Sequence, residues 1–237
     1  MNKKIIIQSG FNVMGTNKVN ELNEEWLKYR IMLFKGYCLK SLKAQTNQWF
    51  TFLLRCRDET IPFIKKEMGD VLPENVLIVG VAEFHKRIEE LTKGYEYFYL
   101  VRVDSDDMYE KNFVDLLHNY SPKPETEILI NQYCYNYEIK SGRLASFFYK
   151  SPQSYVLIYK PEEYVKGKRY YLKGGHGGAI LLKHEFLSGT NYMDTVHKTN
   201  SCSIFHPPNW DKWEEIEDKE EIKKILSNFG VENENKG

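Results

Sequence analysis

Four short apolar runs, each followed by a stretch of helical character, set the limits on what this chain can become. Ile5–Ile7, Trp49–Cys56, Val76–Val81 and Tyr97–Val101 are rich in β-branched, aliphatic and aromatic residues and are bounded by polar or Gly-containing segments, the pattern of buried strands. After the first, Asn23 offers a capping side chain with Glu24 and Glu25 behind it. Trp26, Arg30, Leu33 and Tyr37 then recur at helical spacing, which predicts a helix over 23–44, broken near Gly36. Pro62 and Gly69 bracket a second helix over Ile61–Met68, and a third runs over Glu83–Lys93 and stops at Gly94. Repeated strand–helix alternation predicts an α/β chain: a mostly parallel, Rossmann-like central sheet with helices on both faces.

The second half reads differently. Glu127–Tyr137 and Leu144–Tyr149 flank Lys140-Ser141-Gly142 as a hairpin, and Tyr155–Lys160 and Ala179–Lys183 read as further strands, together a small antiparallel β element. Asp218 followed by Glu221 forms a capping box ahead of an apolar stripe of Ile222, Ile225, Leu226 and Phe229 that ends at Gly230. The expected division is one domain over 1–210, split into halves at 1–107 and 108–210, with a C-terminal helix and frayed tail over 211–237.

The fourth strand runs through Arg102 and Val103 straight into Asp104-Ser105-Asp106-Asp107, and a helix is expected over Met108–Tyr120. Ligands of open parallel sheets bind beyond the carboxyl ends of the strands, so these carboxylates are expected to face a crevice. So many acids so close repel unless neutralised, and hard oxygen donors at this density suit Mg²⁺ or Mn²⁺. The alternative is that Asp106 and Asp107 cap the following helix. An EF-hand starting at Asp104 fails, because Tyr109 and Asp115 stand where Gly and Glu are needed. Walker A and GxGxxG sequences are absent, which removes support for ATP-dependent phosphoryl transfer and NAD chemistry.

Composition narrows the class further. Lys plus Arg and Asp plus Glu are both 33, so bulk charge points to neither nucleic acid nor membrane. The four cysteines (Cys38, Cys56, Cys134 and Cys202) form no CxxC pair, which fits a reducing cytosol better than a zinc or disulfide framework. The Ile5–Ile7 run is too short for a signal peptide core, and no other run would span a bilayer. A cytoplasmic protein is therefore expected. Aromatics reach 14% of the chain; their faces suit either core packing, the ordinary role, or stacking on sugar rings.

With those residues in view, the sequence resembles GT-A glycosyltransferases, which carry an Asp-x-Asp after a strand midway through a Rossmann-like half. More narrowly it resembles a bacterial rhamnosyltransferase family, through Phe11-Asn12-Val13, Trp26 to Arg30 with Phe34, Cys38 to Thr46, Arg102 to Asp107 and Val196 to Asn200. One departure is Ser9-Gly10, where that family tends to have Thr-Arg. The resemblance implies a metal-dependent, inverting transfer of a sugar from a UDP- or dTDP-type donor to a glycan or glycoconjugate hydroxyl. It implies Asp104, Asp106, Asp107 and His197 around Mn²⁺ or Mg²⁺, Asp58 on the nucleobase or else a plain turn residue, Asp104 on the donor, and Arg102 on the donor or on the carboxylates of the cluster. Asp194 is the expected general base, with Glu185 in reserve. The run Gly174-Gly175-His176-Gly177-Gly178 reads either as an acceptor-side loop or as a tight connection. A metal-dependent nucleotidyltransferase, or a non-catalytic carbohydrate- or nucleotide-binding protein of the same fold, remains open at this point.

Overall fold

The computed structural model describes residues 2–13, 22–200, 204–205 and 211–232. Cys202, most of the Gly10–Asn20 loop and the end of the tail lie outside the described residues. Ten strands form one sheet in the order β10-β7-β6-β8-β4-β1-β2-β3, with β5 and β9 joined beside β6.

The core of the sheet is parallel. Strand β1 (Lys3–Gly10) lies between β2 (Thr51–Cys56) and β4 (Tyr97–Arg102), and β3 (Val76–Gly80) extends the β2 edge. These are the four expected strands, each within a few residues of its predicted span. Beyond β4 the pairing turns antiparallel through β8 (Tyr155–Tyr159), β6 (Ile128–Glu138) and β7 (Arg143–Phe148). The expected hairpin joins β6 to β7, and Gly142 takes φ 74° in its turn.

Helices cover both faces, as the α/β reading requires. On one side α1 (Glu24–Gly36), α2 (Cys38–Lys43), α3 (Ile61–Met68) and α5 (Phe113–Asn119) bury Leu27, Ile31, Phe34, Leu42, Ile64 and Leu117 against the sheet. On the other, α4 (Phe84–Thr92) and α6 (Pro161–Val165) bury Phe84, Ile88 and Tyr164. The Asn23 side chain caps α1 by accepting from the Trp26 amide, and the chain breaks at Tyr37 beside Gly36. No helix among the described residues is long and apolar enough to cross a membrane. Cys38, Cys56 and Cys134 are free and buried.

Three expectations are corrected. The helix predicted over Met108–Tyr120 starts only at Phe113, because Met108–Tyr109 forms the short strand β5, paired with β9 (His184–Val196). Residues 179–183 are not a strand: Gly175–Leu181 coils as a 3-10 turn. Residues 211–216, expected outside the sheet-bearing domain, form β10 (Asp211–Ile216) on the β7 edge. The C-terminal α7 (Lys219–Asn228) follows as predicted, with the Asp218 carboxylate accepting from the Glu220 and Glu221 amides. It packs Ile225, Leu226 and Phe229 onto Met108 and Met193.

Candidate functional site

Beyond β4 the chain makes a tight turn, the Asp107 amide donating to the Asp104 carbonyl at 3.1 Å. That turn sends the three carboxylates in different directions, so the cluster is not a single acidic patch.

Asp106 is the focus. Arg30, one turn along α1 from Trp26, clamps it in bidentate fashion, Nη1 to Oδ2 at 2.8 Å and Nη2 to Oδ1 at 3.0 Å, while Nη2 also donates to Ser105 Oγ at 2.7 Å. His197 brings Nε2 to 2.6 Å from Asp106 Oδ2. The Thr199 amide donates to His197 Nδ1 at 3.2 Å, which leaves the proton on Nε2 and makes that nitrogen the donor to Asp106. Burial alone would raise the Asp106 pKa, but Arg30 and His197 outweigh it and hold the carboxyl well below the usual range. Burial likewise works against the Arg30 charge, and Asp106 more than offsets it.

Asp107 is corrected from crevice to core. Its carboxylate is fully buried, accepting from the Thr195 amide at 2.8 Å and bonded to the Tyr192 hydroxyl. Burial first, then Asp194, Asp106 and Asp104, push its pKa well up. It fastens β9 to the turn rather than facing a ligand or capping a helix. Asp104 stays partly exposed and pairs with Arg102 at 2.7 Å, and Arg102 also donates to the Gln153 carbonyl at 3.1 Å.

Asp194, the expected base, is 1% exposed, and it accepts from Asn136 at 2.7 Å and from Gln153 at 3.2 Å. Buried in this way it positions Gln153, whose carbonyl accepts from Arg102. Glu185 lies at the far end of β9 from His197, tied to Tyr120, Lys123 and Thr126, and so has no place in the site. Asp58 opens a 3-10 turn after β2, exposed, with its carboxylate lying over Gly80: a Cβ at residue 80 would stand 1.9 Å from Oδ1. The Gly-rich run is a tight connection. Gly178 has its own backbone at Lys173 within 2.3 Å of where a Cβ would be, and the coil sets His176 against Tyr155.

In sequence Arg30 stands in a helical stripe and in the Trp26–Arg30 segment of the family resemblance, without an assigned role. A cation among Trp26, Leu33 and Tyr37 was the available signal, since a charge on a buried face needs a partner. Asn12 was likewise quoted without a role. It is buried and locks the loop after β2, accepting from the Arg57 amide and donating to Thr60 Oγ1, both at 3.0 Å.

Among the described residues no three His, Cys, Asp or Glu side chains stand together as a metal cage. Of the four expected ligands only Asp106 and His197 meet. A carboxylate and an imidazole are donor types that suit Mn²⁺ or Mg²⁺, and to hold an ion here His197 would have to give up the Nε2 proton that it now donates to Asp106. The guanidinium of Arg30 already neutralises Asp106.

No curated protein matches this sequence. Among solved structures, Staphylococcus aureus TarS is similar at 14% identity over 83% of this chain and 37% of TarS, with a TM-score of 0.43. A TarS 1–349 structure in complex with UDP aligns at 15% identity over 83% of this chain and 61% of that one, TM-score 0.42. A cytidylyltransferase from Leptospira borgpetersenii aligns at 14% identity over 81% and 77%, TM-score 0.40. The chain thus spans roughly a third to three fifths of the TarS structures it matches. In sequence, residues 15–123, which hold Arg30 and the whole acidic turn but not His197, match the family described as "Putative rhamnosyl transferase".

Proposed function

We propose that this chain is a glycosyltransferase that moves a sugar from a nucleoside diphosphate sugar of the UDP or dTDP type to a hydroxyl of a glycan or glycoconjugate. The observation that carries the reading is the convergence of Arg30, Asp106 and His197 at the carboxyl end of β4, where an open α/β sheet receives its ligand. The family match adds the reaction class, and its description is the source of rhamnose as the proposed sugar. Inversion at the sugar carbon and a cytoplasmic location complete the proposal.

The chemistry follows from the residues. Loss of a nucleoside diphosphate needs its growing negative charge stabilised. A Mn²⁺ or Mg²⁺ ion held by Asp106 and His197 would supply that as a Lewis acid. Arg30 fixes the Asp106 carboxylate in one rotamer and keeps it ionised. Arg102, held by Asp104 and Gln153, presents a second fixed cation at the strand ends. Asp58, exposed just after β2, is the proposed acceptor from the nucleobase. The buried Asp194–Gln153 pair holds the Arg102 side in register.

Calorimetric titration with UDP and dTDP, with and without Mn²⁺, on the wild type and on Asp106→Asn tests this directly. Expected is Mn²⁺-strengthened binding of one nucleotide that the variant loses. Absence of binding by either nucleotide under all conditions overturns the reading. Release of pyrophosphate instead of nucleoside diphosphate during turnover would reassign the chain to nucleotidyl transfer.

A further inference from the structure

Among the described residues Arg55 is a cation with no answering charge. It lies in β2, half-buried, with its guanidinium stacked 4.9 Å from the Phe84 ring centroid. Its Nε is buried without a partner, and among the described residues its side chain makes no hydrogen bond or ion pair. Burial lowers its pKa, and no carboxylate offsets that effect. The same sheet face of β2 carries Leu53, so an apolar residue at 55 would pack there without cost in charge burial.

The position explains what the cation is for. Arg55 pairs in register with Gly10, and Gln8 pairs with Arg102 on the other side of β1. Both arginines therefore stand on one face at the carboxyl ends of the parallel strands, with β1 between them. Gly10 carries no side chain there: a Cβ at residue 10 would lie 3.1 Å from Val13 Cγ2 and 3.8 Å from Arg55 Nη2, so Val13 shares the space over Gly10 with the guanidinium. Arg102 is committed to Asp104 and the Gln153 carbonyl, whereas the Arg55 fork is uncommitted. Nearby, His85 has its pKa lowered by burial first, then by Arg169 and Arg55, with Glu89 acting the other way. A planar, uncommitted fork at the carboxyl ends of the strands matches the spread oxygens of a diphosphate.

We infer that Arg55 is an anion-binding residue of the donor site, taking non-bridging oxygens of the nucleoside diphosphate across Gly10. The inference rests on the nucleotide-sugar reading above for its ligand, but not for the anion site itself.

The test compares wild type, Arg55→Met and Arg55→Lys by calorimetry and thermal shift, with UDP, dTDP, uridine, thymidine and inorganic pyrophosphate as probes. Arg55→Met is expected to weaken the preferred diphosphate roughly 10- to 100-fold, the worth of charge-assisted hydrogen bonds. Nucleoside binding stays unchanged, and Arg55→Lys falls between. Because the native cation is uncompensated, the Met variant should melt at or above the wild-type temperature. Equal diphosphate affinity in wild type and Arg55→Met overturns the inference while leaving the nucleotide reading intact. So does a lowered melting temperature with parallel loss of nucleoside, which marks a structural role. Pyrophosphate binding that needs Arg55, with no nucleotide binding, keeps the anion site and removes the nucleotide-sugar reading. No binding of any probe by the wild type removes both.

Discussion

Replacing Arg30 by Met tests whether the Asp106 carboxylate depends on an internal cation. The two side chains are 12% and 6% exposed, so the pair is held largely out of water. Removing one partner of a buried pair leaves the other uncompensated, at a cost of about 3 kcal/mol or somewhat more. For a chain of this size each kcal/mol lowers the melting temperature by roughly 2–4 °C, so a drop of about 6–12 °C is expected. Circular dichroism melts at neutral pH measure it. The double variant Arg30→Met with Asp106→Asn carries no stranded charge and should be less destabilised than the two single losses added together. Mn²⁺ without nucleotide should also stabilise Arg30→Met more than it does the wild type, since Asp106 is then free to accept another cation. A loss below about 1 kcal/mol in Arg30→Met, together with additive behaviour in the double variant, would refute the reasoning, because an exposed pair behaves that way.

Other outcomes follow from particular contacts. The Asp106 pKa is depressed, so its stabilisation is complete above its unfolded value of about 3.9 and is lost as pH falls through the lower folded value; Asp106→Asn should flatten that acid limb in pH-dependent melts. Asp107 has the opposite sign, its raised folded pKa giving stability below about 3.9 that is lost as pH rises through the folded value, so Asp107→Asn should be better tolerated near neutrality than Asp106→Asn. Gly80→Ala should weaken nucleotide binding with little change in melting temperature, by pushing Asp58 aside; unchanged affinity in calorimetry would remove Asp58 from the site. Gly230 has φ 75°, and a Cβ there would come within 2.6 Å of Ala44 Cβ and 2.8 Å of the Lys40 carbonyl oxygen. Gly230→Ala should therefore cost at least about 1 kcal/mol in urea titration, more than a conformational penalty alone.

What could be read in advance was whatever local pattern decides. Ile5–Ile7 and Tyr97–Val101 are continuous apolar runs because parallel strands bury both faces, and their position in the sheet follows from that. Asn23 and Asp218 act as caps because a cap is a contact between near neighbours in sequence. The misreadings share a different cause. Met108 and Tyr109 continue smoothly into the Phe113–Asn119 helix in periodicity, and only the distant partner strand makes them extended. Strand β9 escaped notice because Gly189, at φ 85°, and the irregular register near Tyr133 interrupt its alternation. Asp107 looked like its neighbours, since nothing in a four-residue window shows that Tyr192 and Thr195 wait behind it.

The pairing of Met108 with Met193 and Tyr109 with Tyr192 acts as a ruler. Asp106 lies before Met108 and His197 after Met193, at the same end of this short antiparallel ladder, so two residues 91 positions apart are brought to hydrogen-bond distance by counting steps from one pair. Such a ruler is digital. Lengthening the connection between β8 and β9 leaves the count untouched, so residues 160–183 can change in number without moving His197. Adding or deleting one residue between Met193 and His197 shifts the imidazole by about 3.3 Å and turns it to the opposite face. Substitution within 193–197 grades the site, whereas a change of length there abolishes it.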